Sequence, residues 1–240
     1  MSKAADMAKV SAKGSFHLLW GLVVSTVISA VATIFVARLL GSDLYGLYGI
    51  VLISPNLIAI FRDWGINSAM IRYTAQYRSE DRESEVRSIL VSGIIFEIIL
   101  GMALSAISFA LSGYLATSVF HRPEITSLIQ IASISILAGG LINAATAAFT
   151  GIEKMELTSI LLIAQSIIKT AIMITLVVLG LGTSGAVIGY TFAMVIAGLI
   201  GVALVWTQYK NLPKLRKFKL EIKAYTKTML TYGIPLSVSA

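Results

Sequence analysis

Cysteine is absent from the 240 residues, proline occurs four times, and only 13% of the chain is charged. The first absence excludes disulfides and thiolate chemistry, although it assigns no redox compartment. The scarcity of charge argues against an ordinary water-soluble domain, in which about a quarter of the residues are Asp, Glu, Lys or Arg. The only two histidines, His17 and His121, are far apart and have no cysteine beside them, so no metal-ligand spacing arises. There is no Walker loop, no dinucleotide-binding glycine fingerprint, no HExxH and no His-centred triad. No catalytic, cofactor-binding or metal-binding residue is assigned. If the chain moves anything, the expected drive is an ion gradient, the membrane potential or the gradient of the cargo itself.

What is present is apolar. Hydrophobic residues make up 57% of the chain, and its mean hydropathy is +0.86. They gather into runs of about 20, the helical length that spans a hydrocarbon core of about 30 Å. An outer-membrane barrel would instead alternate over segments of about 10 residues. The expected fold is therefore all-α, a polytopic membrane bundle with transmembrane helices at 16–37, 44–61, 88–111, 126–149, 157–179 and 185–206. The first run is too long for a signal-peptide core and is followed by five comparable runs, so it is read as a retained helix. A seventh apolar run opens at Met229. The division expected is residues 1–228 as a six-helix lobe with a basic linker and 229–240 as the start of helix seven, its lobe truncated or absent.

Lys and Arg set the orientation. The N-terminal tail holds Lys3, Lys9 and Lys13, the 62–87 connection holds five Arg, the 150–156 turn holds Lys154, and the 207–228 connection holds seven basic residues. On the other side stand Arg38 and Arg122. This asymmetry predicts a cell-membrane protein with its N-terminus and the basic connections in the cytoplasm. The net charge of +7 is thereby read as topological, and no nucleic-acid partner is expected. Two amphipathic stretches, 62–77 and 214–228, are expected in the headgroup plane beside anionic lipids, with solvated linkers as the plainer alternative.

Helix one repeats small residues every fourth position at Gly21, Ser25, Ser29, Thr33 and Ala37, and helix six does so from Gly185 to Gly201. Such stripes let backbones approach closely where lipid offers little hydrophobic drive. The acidic and basic residues from Arg78 to Arg87 read as a solvated charge network. Polar groups inside apolar runs are more informative, because a mid-bilayer charge costs on the order of 3 kcal/mol and normally faces a bundle interior or wet cavity. The candidates are Glu97 and Lys169, with Gln165 on the face of Lys169, and Gln130 and Asn143 as neutral groups that also serve as interhelical glue. Lys169 is read either as lining a cavity or as a structural group paired with Glu97.

Three stretches carry a resemblance: Ala37 to Gly49, with Arg38-Leu39-Leu40-Gly41 followed by Tyr45-Gly46; Phe149 to Met155, followed by Gln165 and Lys169; and Gly180 to Tyr190. In order and spacing they resemble the polysaccharide biosynthesis proteins, the lipid-linked oligosaccharide (O-antigen type) flippases of the multidrug/oligosaccharidyl-lipid/polysaccharide exporter superfamily. The resemblance implies two six-helix lobes of a MATE-like transporter with 12 to 14 helices, alternating access, and a cationic cavity for a lipid-linked pyrophosphate or phosphate. This chain would be the N-lobe, with the missing C-terminal lobe, glycosyltransferases and a polymerase as expected partners. Lys169 is the basic residue expected at depth. Arg38 and Arg62 are expected near opposite membrane edges, completing the anion site only if they bend inward. The alternatives are an organic cation exporter of the same superfamily, with Glu97 as coupling group, and a non-transporting scaffold for glycan assembly.

Overall fold

The computed structural model describes residues 3–62, 64–210 and 218–239. Among them every regular element is helical: α1 (Lys3–Ala59), α2 (Ile66–Ser79), α3 (Glu83–Tyr114), α4 (Thr126–Gly151), α5 (Met155–Leu176), α6 (Gly182–Tyr209) and α7 (Phe218–Ser239). Four continuous helical stretches are long and apolar enough to cross a membrane: Gly14–Arg62, Glu83–Val119, Pro123–Gly151 and Met155–Gln208. Hydropathy predicted six. The difference arises because two junctions are almost wholly helical. Fifty residues of helix would rise about 75 Å, more than twice a hydrocarbon core, and each of the two longest stretches is broken at glycine. Gly41 adopts φ 74°, ψ 174°, and Gly180 and Gly182 also have positive φ. An L side chain would be strained at such angles, which is why glycine marks these junctions.

The bundle is organised around α4, which packs against α3, α6, α2 and α1, while α5 packs against α1 and α6. The small-residue stripes lie in these seams. A Cβ on Gly21 would fall 2.5 Å from Ser159 Cβ of α5, one on Gly189 would fall 2.8 Å from Met173 Cα, and one on Gly201 would fall 2.9 Å from Ala145 Cβ. At those points backbone contact replaces side-chain packing. Large apolar side chains such as Phe16, Trp20, Leu179 and Phe192 point outward and are more than half exposed. So much apolar surface suits a lipid environment.

Two segments depart from the sequence expectation. In α2 the apolar face buries Ile66, Ala69 and Met70, and this helix packs on α3, α4 and α7. The protein core therefore covers the face expected to lie among headgroups. The seventh apolar run is the second half of a helix that already starts at Phe218, with Met229 fully buried and Tyr225 edge-on to Tyr77. Residues 218–228 of the expected headgroup segment are thus the first half of α7. Lys214, Arg216 and Lys217 lie outside the described residues.

The quoted sequence stretches meet at contact points. Thr183 Oγ1 donates to the Leu44 carbonyl at 3.0 Å, joining the first stretch to the third. At the second, the Arg78 guanidinium donates to the Ile152 carbonyl, and Lys154 donates to Gln208 Oε1. Near that turn the solvated network forms as expected, with Arg82 2.8 Å from Glu80 and 3.1 Å from Glu85. The hydrogen bond from Arg82, and then that from Gln76, hold the Glu80 carboxyl below its ordinary range.

Candidate functional site

The C-terminal arm of α1 contains Pro55, which has no N–H to offer the carbonyl four residues back. The arm ends in a 3-10 turn at Ile60–Arg62. Gly65, at φ 69°, then opens α2. This tightened end turns Arg62 inward. Its Nη1 donates to the Ile136 carbonyl at 3.0 Å, and its Nε lies 3.9 Å from Glu97 Oε2. The second Glu97 oxygen accepts a 2.8 Å hydrogen bond from Asn67 Nδ2. Glu97 is 1% exposed and the Arg62 side chain 15%. At 3.9 Å the arginine contact is charge against charge rather than a short hydrogen bond.

Two consecutive glycines of α4 make room for this pair. A Cβ on Gly139 would stand 2.8 Å from Arg62 Nη1, and one on Gly140 would stand 2.8 Å from Glu97 Oε2. Beside the pair lies a cavity of about 270 Å³ between α1, α4, α5 and α6, walled on its polar side by Asn56, Arg62, Ser135, Asn143, Gln165 and Tyr190. Among the described residues that line it, Arg62 alone carries a charge. A hydroxyl, three amides, a phenol and a guanidinium facing one volume supply donors to an anion, with one full positive charge among them. A roomier hollow of about 690 Å³ follows the outer face of α7 near Lys223 and Lys227, away from these groups.

Of the residues singled out by sequence, the structure brings Arg62, Asn143 and Gln165 to this cavity, where Gln165 Nε2 also lies 3.0 Å from Met194 Sδ. Glu97 stands behind Arg62. Lys169 is elsewhere: its ammonium donates to Ser29 Oγ at 3.2 Å in the seam between α1 and α5, and Lys169 is not among the lining residues. The partners of Glu97 described above are Arg62 and Asn67, not Lys169. Arg38 is exposed on the N-terminal arm of α1 and does not reach the cavity. Sequence reasoning missed Asn56, Asn67, Ser135 and Tyr190. It also missed Gly139-Gly140, the one signal that was available, since paired glycines inside a helix mark a close approach by another group.

This helical arrangement recurs in about half the length of several membrane transporters of known structure. Among solved structures, the chain is similar to a MATE protein in complex with MaD5 (TM-score 0.80, 17% identity, 96% of this chain and 53% of that one). It is also similar to the outward-facing conformation of a multidrug resistance MATE family transporter of the MOP superfamily (TM-score 0.74, 18% identity, 96% and 52%). A third similar structure is a MOP superfamily transporter from Pyrococcus furiosus, described as having a binding pocket of reverse polarity that suggests a different function (TM-score 0.71, 15% identity, 96% and 53%). At these identities the likeness is one of fold. By sequence, residues 11–240 match the family described as "Polysaccharide biosynthesis protein", and the chain belongs to that family. An uncharacterized membrane protein of Methanocaldococcus jannaschii is 23% identical over 238 residues, 95% of this chain and 55% of that protein. The chain spans about half the length of these relatives.

Proposed function

We propose that the chain is the N-terminal lobe of a flippase that carries a lipid-linked oligosaccharide or polysaccharide precursor from the cytoplasmic to the outer leaflet. In this reading α1 crosses twice about Gly41, and the two arms on either side of Gly180–Gly182 cross separately, which restores six spans. Residues 1–228 form the lobe and 229–240 belong to the opening of the second. The basic connections and the N-terminus lie in the cytoplasm of a cell-membrane protein, and Lys223 and Lys227 of α7 meet anionic headgroups. A facing C-terminal lobe would complete the cavity, and glycosyltransferases or a polymerase would supply and consume the cargo.

The observation that carries this reading is the inward turn of Arg62 into a cavity lined by amides, whose other described lining residues carry no charge. A lipid phosphate or pyrophosphate satisfies such donors, whereas an organic cation would meet positive charge. The buried Glu97 carboxylate just behind Arg62 is the specific feature that favours the cation-exporter alternative. The two readings separate by binding in nanodiscs of farnesyl pyrophosphate against tetraphenylphosphonium. Farnesyl pyrophosphate is expected to bind, and an Arg62→Gln, Glu97→Gln double variant, which removes both charges of the pair together, is expected to lose that binding. Binding of the cation in its place, abolished by Glu97→Gln, would establish the exporter instead.

A further inference from the structure

The turn that aims Arg62 at the cavity also meets α7. Gly65, where that turn gives way to α2, packs backbone against backbone on Gly233: a Cβ on Gly65 would stand 2.6 Å from Gly233 Cα, and one on Gly233 would stand 2.6 Å from the Trp64 carbonyl oxygen and 2.7 Å from the Gly65 carbonyl carbon. Trp64 N donates to the Arg62 carbonyl at 3.1 Å, and the Trp64 indole donates to the Phe61 carbonyl at 2.6 Å. Phe61, Arg62, Trp64 and Gly65 are thereby tied into one short unit, and the chain from Arg62 to Gly65 reaches at most about 11 Å. We propose that α7 braces this unit through Gly233, which makes Gly233 a positioning residue for Arg62. The consequence for binding rests on the anion-cavity reading; the brace itself does not.

Both helices of the contact are pinned elsewhere, so neither yields freely. Met229, about one turn before Gly233, is fully buried in the core that contains Ile66 and Met70 of α2 and Ile89 and Leu90 of α3. Tyr232 of α7 stands edge-on to Tyr73 of α2 at 5.9 Å, and Tyr225 edge-on to Tyr77 at 6.2 Å. The Arg72 guanidinium lies 4.3 Å from the centre of the Tyr232 ring. These ring contacts hold α7 along α2 well past the glycine pair. The least regular stretch is the turn itself, with a 3-10 segment at Ile60–Arg62 and a left-handed Gly65. A methyl group on Gly233 is therefore relieved mainly by displacement of Trp64 and Gly65. Arg62 moves with them, and its side chain then withdraws from the Ile136 carbonyl and from the cavity. The guanidinium is thus held in place from α7 as well as by the groups that it touches.

The test uses the full 240-residue chain in nanodiscs and compares Gly233→Ala with Gly21→Ala, whose methyl would stand 2.5 Å from Ser159 Cβ in the α1 and α5 seam. Phenylglyoxal modification followed by peptide mapping reads the state of Arg62 itself, and titration with farnesyl pyrophosphate reads the cavity. Gly233→Ala is expected to raise the modification rate of Arg62 in the absence of ligand. It is also expected to weaken farnesyl pyrophosphate binding by ~10-fold or more, the loss of one charge-assisted hydrogen bond. Gly21→Ala is expected to lower the unfolding temperature while leaving Arg62 reactivity and affinity at wild-type values. Arg62 reactivity unchanged by Gly233→Ala, or raised equally by both variants, would overturn the brace and leave the anion cavity intact. Raised reactivity with wild-type affinity would overturn the positioning role. Raised reactivity in Gly233→Ala alone, with no farnesyl pyrophosphate binding even in wild type, would keep the brace and remove the anion cavity. Should Gly233→Ala fail to fold, Met229→Ala, which loosens α7 from the same core, takes its place: raised Arg62 reactivity is expected, and wild-type reactivity would overturn the brace.

Discussion

Gly140 shows how narrowly the ion pair is fitted, because a methyl group there would stand 2.8 Å from Glu97 Oε2. Gly140→Ala is expected to destabilise the chain by about 1–3 kcal/mol, the usual cost of overpacking. Combining it with Glu97→Ala should recover part of that loss, a non-additivity visible in detergent unfolding curves. Lys169→Gln tests a second, half-buried cation. Its ammonium serves Ser29 in the α1 and α5 seam, so the substitution is expected to shift thermal stability and leave farnesyl pyrophosphate affinity unchanged. A loss of affinity without loss of stability would return Lys169 to the binding surface. The separate polar candidates were legible because each breaks an apolar run, but their pairing was not. Glu97 finds Arg62 and Asn67 across 35 and 30 residues of sequence, and no local periodicity encodes a contact of that span. Arg62 looked like a membrane-edge residue because hydropathy reports depth along a helix, while the turn after Pro55 decides where the side chain goes.

At the scale of helices, the small-residue stripes make a sharper prediction than the hydropathy that revealed the spans. Gly21→Ala places its methyl 2.5 Å from Ser159 Cβ, whereas a Cβ on Gly46, on the other arm of the same helix, meets nothing within 4 Å. Gly21→Ala is therefore expected to push α1 from α5 and cost about 1–3 kcal/mol, while Gly46→Ala should be neutral or slightly stabilising, since Ala is the better helix former by about 1 kcal/mol. Equal unfolding temperatures for the two variants would remove the stripe from the α1 and α5 seam. The long apolar helices were legible because lipid favours long uninterrupted apolar helices. Their ends were less so: α3 begins at Glu83 rather than 88, and α7 at Phe218 rather than 229. A helix continues past the hydrocarbon as long as its backbone is satisfied, so a fall in hydropathy marks the edge of the lipid and not the end of the helix. The same reasoning explains α2. Its modest apolar face suits a membrane surface or a protein groove equally well, and only the tertiary contact with α3, α4 and α7 decides between them.

For the whole molecule, the distribution of Lys and Arg predicts a topology that labelling can check. Single cysteines at Ser42, beside the Gly41 junction, and at Glu80, in the turn after α2, are expected to react from opposite sides: Ser42 with an impermeant maleimide on intact cells, and Glu80 only after permeabilisation. Accessibility of both from the same side would overturn the orientation and with it the direction of the proposed flipping. Transport is a stricter question. The chain matches about half of each solved transporter that it resembles, and its cavity is walled by α1, α4, α5 and α6 of a single bundle. Alternating access requires two bodies that rock about a shared site. A purified, demonstrably monomeric 240-residue chain reconstituted in vesicles is therefore expected to insert and to bind a lipid pyrophosphate without moving it between leaflets. A fluorescent lipid pyrophosphate scored for leaflet transfer, with cross-linking run in parallel to detect dimers, makes this measurable. Transfer by the monomer would mean that one bundle holds both access states by itself. Transfer that rises with the fraction of cross-linked dimer would mean that a second copy can stand in for the facing lobe, with the two Arg62 side chains then sharing one enlarged anion cavity.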